Sequence, residues 1–322
     1  MSRETKFVGF AKYAWFVLAY NIVVILWGVF LRASKSGDGC GQHWLTCGGE
    51  VVPSAPELKT VIEFSHRITS ALAGLLVIGL VAWAFVIWRK SWTSVTSRAL
   101  KMAVGSLILV ILEGLLGAGL VLTGNTAETL TPERPFWMAA HLMNTLVLLT
   151  FLTLTAWYAT GGARLVIPSD RSIRLIFAFI IACYLMIGFT GSIAALGGMI
   201  FPSESLTEGI LKDFTPTSHF LLKLRPLHPI VSVVSAVFLI FAVGWIKART
   251  KRPNVAKWSN IVSVLIATQV AFGAATLLML APIVMQIGHL LLADLIWVSL
   301  VLLTANYLAI DPDIESDADA SD

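Results

Sequence analysis

Eight long apolar segments dominate this 322-residue chain and constrain its fold more than any other feature. A membrane-spanning helix needs about 20 apolar residues. Charged residues make up only 13% of the chain, about half the usual share for a soluble domain. The sequence therefore predicts an all-α polytopic membrane protein with eight transmembrane helices. The predicted spans are 13–31, 62–88, 98–122, 136–158, 173–197, 227–247, 258–280 and 284–308.

Lysine and arginine are unevenly distributed among the segments that connect these spans. If the N-terminus is cytoplasmic, 15 of the 23 basic residues lie in cytoplasmic segments, as the positive-inside rule expects. We therefore predict a multi-pass protein of the cytoplasmic membrane with both termini inside. The net charge of +4 follows from this topology and does not indicate binding to nucleic acid. The acidic tail 311–322 has little apolar content to bury and is predicted to be disordered.

Four of the six histidines lie near the start of an even-numbered span, which faces the extracytoplasmic side in this topology. An ionisable residue within the membrane is costly and suggests a functional site. Imidazoles between packed helices are common ligands of heme iron. A lone histidine on such a helix is more often a hydrogen-bonded packing residue, but four at one depth predict two ligand pairs. They are His66 and His141 in the front half, and His228 and His289 in the back half.

Similar local sequences suggest that the chain consists of two related halves, 1–160 and 161–310. The sequence "HLMNTLVLL" that starts at His141 resembles "HLLLADLIWVSL" at His289, and Glu113 corresponds to Gln269. Both Glu113 and Gln269 are followed by small residues that permit close helix packing. We therefore predict two pseudo-symmetric four-helix bundles. Two long connections, 32–61 and 198–226, are predicted to cover a site at the outer side.

The two halves differ in the charged residues beside the first histidine of each pair. Glu63 precedes His66 by three residues and shares its helix face, so it is a candidate general base or hydrogen-bond partner. The equivalent position before His228 is Arg225. Arg67 is a candidate partner for a heme propionate. Arg225 is a second candidate cofactor-binding residue, although it could simply extend to the interface. This asymmetry predicts chemistry in the front half and electron transfer in the back half.

Two cysteines, Cys40 and Cys47, occur in the first outer connection. Cysteine pairs outside the cytoplasm are usually oxidised, which predicts a disulfide, and an exposed loop disulfide can also be redox-active. His43 lies between them, as a loop residue or a metal ligand. Glu113 and Asp294 lie within spans, where a proton path and structural pairing are both open interpretations.

Taken together, these residues resemble the heme A synthase family across essentially the whole membrane region. The most specific segments are "EFSHR" at 63–67, "HLMNT" at 141–145, "LHP" at 227–229 and "GHLLLADLIW" at 288–297, with the paired cysteines. The resemblance implies an oxidoreductase that converts the C8 methyl of heme O to a formyl group by successive hydroxylations. Its product, heme A, is used by terminal oxidases.

The resemblance also implies a role for each matching residue. His66 and His141 would hold the substrate heme O, His228 and His289 would hold heme b, and Glu63 would be the catalytic acid. Cys40 and Cys47 would form the family's loop disulfide. Implied partners are heme O synthase and cytochrome oxidase assembly components. The chain departs from the family in two places: 198–226 contains no second cysteine pair, and the end of the first span reads "LRASKSGDGCGQHW" instead of a glycine-rich "RLTGSG"-like string.

Two other functions are compatible with parts of the sequence. A di-heme b-type electron-transfer cytochrome would use the same histidine pairs but gives no reason for Glu63. A membrane transporter built from repeats would use Glu113 and Asp294 as coupling groups. Bound heme would distinguish the transporter from the other two.

Overall fold

Every regular element in the described part of the chain is an α-helix. The computed structural model describes residues 3–91 and 93–310, so the predicted acidic tail lies outside the described residues. Eight helical segments in this part are long and apolar enough to cross a membrane. The prediction of an all-α, multi-pass membrane protein is therefore confirmed.

Most helices extend beyond the predicted apolar segments, because polar turns at their ends continue the helical backbone, whereas α9 ends at Leu278, two residues before its predicted end. Two short helices, α6 and α7, lie in the second long connection and were not predicted. Helix α7 leads directly into α8, and α7 and α8 together form the sixth span, Phe220–Ala248. In chain order the helices are α1 (Arg3–Ala33), α2 (Leu58–Lys90), α3 (Ser94–Leu122), α4 (Arg134–Ala159), α5 (Arg171–Ile200), α6 (Leu206–Phe214), α7 (Phe220–Leu224), α8 (Leu227–Ala248), α9 (Pro253–Leu278) and α10 (Ile283–Leu308).

Helices α4 and α10 form the centre of the molecule. In the front half, α1 packs against α2 and α4, and α3 also packs against α2 and α4, which closes a four-helix ring. In the back half, α8 packs against α5 and α9, and α9 packs against α10. Helix α4 also contacts α5 and α10, while α1 contacts α10. This arrangement is compatible with two related four-helix bundles, and the division at residue 160 stays a prediction.

Polar contacts of aromatic side chains join the central helices. The indole nitrogen of Trp297 on α10 donates hydrogen bonds to the main-chain oxygen of Leu146, 2.7 Å away, and to Thr150 Oγ1, 3.0 Å away, both on α4. Tyr184 of α5 stacks on Trp297 with ring centres 5.0 Å apart, and its hydroxyl donates to the main-chain oxygen of Ala293. Apolar burial at this seam is therefore supplemented by directional bonds, which fix the register of α4, α5 and α10.

The long connections meet at one end of the bundle. A Cβ at Gly39 would lie 2.4 Å from the backbone of Lys59, so only glycine permits this close approach of the first connection to α2. Arg32 at the end of α1 donates to Gln286 on α10, 3.1 Å away. Lys35 donates a hydrogen bond to Glu128, which lowers the pKa of that carboxyl. These contacts bring the α1–α2 connection, the α3–α4 connection and the start of α10 together.

Candidate functional site

All four predicted histidines lie at the end of the bundle where these connections meet. His66, His141, His228 and His289 come eight, seven, eight and six residues after the first residues of their spans, Leu58, Arg134, Phe220 and Ile283. Because a helix rises about 1.5 Å per residue, these offsets differ by only about 3 Å in depth. The histidines therefore lie at similar positions along their spans.

The back-half pair has its two imidazole rings facing each other. The ring centres of His228 and His289 are 6.3 Å apart, and the ring planes are nearly perpendicular, at 86°. A metal–imidazole bond is about 2 Å long, so one metal ion between two facing ring nitrogens places the ring centres about 6 Å apart. The observed separation is compatible with one metal ion held between the two rings.

Polar neighbours orient both rings of the back-half pair. Nδ1 of His228 lies 3.4 Å from Thr190 Oγ1 on α5 and 3.4 Å from Ser232 Oγ on α8. Nε2 of His289 lies 3.3 Å from Gln269 Nε2 on α9, which also donates to the main-chain oxygen of His289 at 3.0 Å. Such contacts fix the orientation of a metal-binding imidazole.

In the front half, the carboxylate of Glu113 takes the position that the amide of Gln269 has in the back half. Glu113 of α3 has one oxygen 3.3 Å from His141 Nδ1, within ion-pair distance but not aligned as a hydrogen bond. Asn144 and Thr145 of α4 both donate hydrogen bonds to Glu113 and hold its carboxylate in place. His141 also lies within electrostatic range of His66. Glu113 thus lies behind His141 of the front pair.

Each of the four imidazoles faces a glycine on a neighbouring helix. A Cβ added at the glycine would lie 3.1 Å from the ring for Gly28 and His66, 3.9 Å for Gly117 and His141, 3.0 Å for Gly191 and His228, and 2.9 Å for Gly273 and His289. The first, third and fourth distances are closer than ordinary van der Waals contact. Glycine therefore gives these three rings room to lie against the adjacent helix.

The ring nitrogens show that the histidines are not satisfied by protein alone. Within the described residues, Nδ1 of His66, His141 and His289 is buried and has no hydrogen-bond partner. A buried polar atom without a partner is costly. Unpaired nitrogens, facing rings and glycine-lined space fit two planar groups whose iron is ligated by imidazole. The ligand assignments themselves stay predictions.

Glu63 connects the first histidine helix to the disulfide loop. Its carboxylate is only 3% exposed and accepts a hydrogen bond of 2.8 Å from the main-chain nitrogen of Cys40. Arg67, one turn further along α2, donates to its other oxygen. A carboxylate held from two sides in this way occupies a defined position beside His66.

Arg67 and Arg225 occupy similar structural roles in the two halves. Arg67 also donates to the main-chain oxygens of His43 and Thr46, at 2.7 and 2.8 Å, and so fastens the first connection to α2. Arg225 donates to Asp213 at 2.8 Å and to the main-chain oxygen of Gly209 at 2.9 Å, and so fastens α6 to the start of α8. Their predicted contacts with heme propionates stay predictions.

A disulfide joins Cys40 and Cys47 in the first connection, as predicted. Gly41 and Gly48, each next to one of these cysteines, adopt positive φ angles of 64° and 61°, which glycine tolerates best. His43 takes part through its main-chain oxygen. No cluster of three or more His, Cys, Asp or Glu residues that could hold a bare metal ion occurs in residues 3–91 and 93–310.

Asp294 is the most deeply buried acidic group near the site. Its side chain is 0% exposed on α10, and neither carboxylate oxygen has a hydrogen-bond partner in the described part of the chain. It lies next to Ala293 and therefore close to the Tyr184 hydroxyl. The structure thus places it in the central seam, and its function stays open.

Sequence reasoning missed several residues that surround the imidazoles. Gly28 and Gly191 were not predicted, nor were the hydroxyls of Thr190 and Ser232. A positional signal exists for glycine: Gly28, Gly117 and Gly273 each lie five residues before the last residue of their helix. Because small residues are frequent throughout transmembrane helices, this spacing has meaning only after the histidine depth is known.

The fold and the site define a polytopic helical membrane protein with two pairs of histidines at one end, one of which has its rings close together. The chain matches the COX15-CtaA family, described as cytochrome oxidase assembly protein, over residues 11–301. It therefore belongs to the COX15-CtaA family of cytochrome oxidase assembly proteins.

Individual relatives carry two different names. Proteins named heme A synthase from Alkalihalophilus pseudofirmus and Halalkalibacterium halodurans are both 30% identical, over 260 and 286 residues; these matches cover 76% and 87% of this chain, and 79% and 90% of the relatives. A protein named protoheme IX farnesyltransferase from Thermus thermophilus is 39% identical over 299 residues, 92% of this chain. The match covers 48% of that protein, so the chain spans about half the length of this relative.

Proposed function

We propose that this protein is a heme A synthase, which oxidises the C8 methyl of heme O to a formyl group by successive hydroxylations. The observation that carries the proposal is the asymmetry between two otherwise similar histidine pairs. In the part of the chain that the structure describes, a buried carboxylate three residues before the first histidine of a pair occurs in the front half alone, where Cys40 and Arg67 hold Glu63 in place. Family membership and the relatives named heme A synthase support the same activity.

In this proposal the front half binds the substrate and the back half binds a cofactor. His66 and His141 hold the iron of heme O, and His228 and His289 hold heme b, which supplies one-electron chemistry when bound. Thr190, Ser232 and Gln269 fix the back rings in place. The back pair therefore needs no acid of its own.

Glu63 has the proton-handling role. A carboxylate beside the reacting group can accept a proton as the methyl carbon is oxidised and donate one when the gem-diol loses water. The hydrogen bond from Cys40 and the contact with Arg67 hold Glu63 in one orientation, which favours proton transfer in a fixed direction. Arg67 and Arg225 are proposed to lie near the propionates while they fasten the outer segments.

The cellular setting is part of the same proposal. The protein would lie in the cytoplasmic membrane with both termini inside and both heme sites towards the extracytoplasmic side. Heme O is hydrophobic and reactive, so a heme O synthase is the proposed supplier, and oxidase assembly components are the proposed recipients.

The decisive experiment is heme extraction and chromatography from membranes of cells that make heme O and have no other source of heme A. Heme A that appears only with the intact chain supports the synthase. Bound heme b without heme A supports the electron-transfer cytochrome instead. A parallel culture that contains heme B but no heme O tests the Thermus relative's name, because new heme O there would indicate farnesyl transfer.

A further inference from the structure

We infer that His141 is the exchangeable ligand of the front pair, and that His66 is the ligand that stays on the iron. The inference rests on the proposed function, because it requires that the front pair holds a heme. An iron with two imidazole ligands has no open axial position for a small reactant such as dioxygen. One ligand must therefore move aside, and the structure distinguishes the two candidates.

The glycine contacts show which imidazole has room to move. At Gly28, Gly191 and Gly273, an added Cβ would lie within 2.9–3.1 Å of the facing ring, so these rings are pressed against a helix backbone. At Gly117 the same Cβ would lie 3.9 Å from His141, an ordinary van der Waals distance. His141 is thus the one imidazole of the four with free space on its glycine side.

Glu113 provides a place for the imidazole once it leaves the iron. Its carboxylate lies 3.3 Å from His141 Nδ1 but is not aligned with it, so a modest ring rotation would form a charge-assisted hydrogen bond. Asn144 and Thr145, on the same helix as His141, hold the carboxylate in place, so the acceptor stays in reach.

No carboxylate of the described residues lies within ion-pair distance of His66, as Glu113 does of His141. The nearby carboxylate, Glu63, is already bonded to the main-chain nitrogen of Cys40 and to Arg67. The ring of His66 has three atoms within 4.0 Å of a Cβ built at Gly28, which leaves little space for rotation. Exchange at His141 breaks one iron–nitrogen bond, and the electron pair remains on the imidazole nitrogen, so no oxidant or reductant is needed.

Carbon monoxide binding to the dithionite-reduced holoprotein tests this inference without measuring heme A production. In Gly117→Ala the added methyl group fills the space beside His141 without displacing the ring. The methyl group should hinder movement of the His141 ring away from the iron, so we expect carbon monoxide to associate about tenfold more slowly. Heme content and the low-spin spectrum should stay unchanged. The matched control is Gly114→Ala on the same helix, where no described atom lies within 4 Å of the new Cβ. Equal rates in the two variants would overturn the inference.

Histidine variants provide a second, independent readout. We expect His141→Ala to retain a front-site heme that is high-spin and binds carbon monoxide rapidly, and added imidazole to restore the low-spin spectrum. His66→Ala should lose most of that heme. The reverse pattern would assign the exchangeable role to His66 and overturn the inference while leaving the synthase proposal intact. A wild-type protein that contains no heme would instead refute the proposed function, and the inference with it.

Discussion

Oε1 of Glu113 lies 3.3 Å from Nδ1 of His141, and the corresponding contact in the back half joins the amide of Gln269 to His289, also at 3.3 Å. One imidazole of each pair therefore has a polar partner on the preceding spanning helix, but only the front partner carries a negative charge. A carboxylate beside a metal-bound imidazole raises the basicity of the ligand and favours the more oxidised metal.

The first prediction exchanges these two partners. Glu113→Gln should raise the midpoint potential of the front heme, and Gln269→Glu should lower that of the back heme. Each change is expected to be on the order of 60 mV, equivalent to a tenfold change in a one-electron equilibrium. Potentiometric titration followed by absorbance would measure both.

Thr268→Ser on α9 is the control, because its hydroxyl donates to the main-chain oxygen of Val264 within the same helix and the substitution retains that hydroxyl. Midpoint potentials that stay the same in both exchanged variants would show that neither partner influences the iron.

The second prediction concerns the buried acid of the front half. Glu63→Gln retains the shape and the contact with Cys40 but removes the charge and the proton acceptor. We expect heme A to fall at least about a hundredfold, within the range for general acid–base catalysis, while heme b remains bound. Extracted hemes would be quantified by chromatography.

Glu57→Gln is a matched control, since Glu57 precedes α2 and its side chain makes no capping hydrogen bond. Full heme A production in Glu63→Gln would exclude this residue as the acid.

Much of the site was predictable, because in a membrane-spanning helix the position of a residue along the chain determines its depth in the membrane. Span counting and the charge bias placed four histidines in one layer, and the structure indeed brings the rings of His228 and His289 within 6.3 Å of each other, centre to centre. The residues that surround the imidazole rings were harder to predict from the sequence. Gly28 and Gly191 were not predicted, because rotation of one helix against another decides which small residue meets which ring, and an apolar helix with little amphipathic character does not reveal that rotation.

The third prediction tests the glycine contact at the back pair. Gly191→Ala would place a methyl group 3.0 Å from His228, which must displace the ring or separate α5 from α8. Overpacking of this kind costs about 1–3 kcal/mol, so heme b occupancy should fall roughly tenfold when heme is limiting. The pyridine hemochrome assay per mole of protein measures occupancy.

The same substitution at Gly198, on the same helix, meets no atom of the described residues within 4 Å. Occupancy is therefore expected to stay at the wild-type level in Gly198→Ala. A normal heme b content in Gly191→Ala would show that the ring does not need this space.

The fourth prediction concerns the disulfide of the first connection. Cys47→Ser, in the Cys40→Ser background, removes the crosslink but leaves the main-chain hydrogen bond from residue 40 to Glu63 possible. Closing so short a loop contributes about 2–3 kcal/mol, so the loop should become sensitive to proteolysis. Limited digestion of membrane vesicles, with heme A measured in parallel, reports both effects.

Cys183→Ser on α5 is the control, because Cys183 is the free cysteine of the described residues and lies far along the chain from the loop. Unchanged digestion in the double variant would mean that the hydrogen bonds of the connection to Glu63, Thr60 and Arg67 are sufficient to hold it.

The second connection illustrates a different limit of sequence reasoning. Residues 198–226 were predicted only as a long loop, yet α6 and α7 form there. Ser205 caps α6 by accepting a hydrogen bond from the main-chain nitrogen of Glu208, and Arg225 then joins α6 to the start of α8. Short helices are marginal on their own. They exist here because tertiary contacts stabilise them, and those contacts cannot be inferred from local sequence.

The bonds of Trp297 to α4 and of Arg32 to α10 join the same two groups of helices at mid-depth and at the site end. Because the two attachment points lie at different heights, they resist tilting of one group of helices against the other. These contacts therefore resist a change in the distance between the front and back histidine pairs. In the proposed reaction, an electron that passes between the two pairs would cross a gap held by these two contacts.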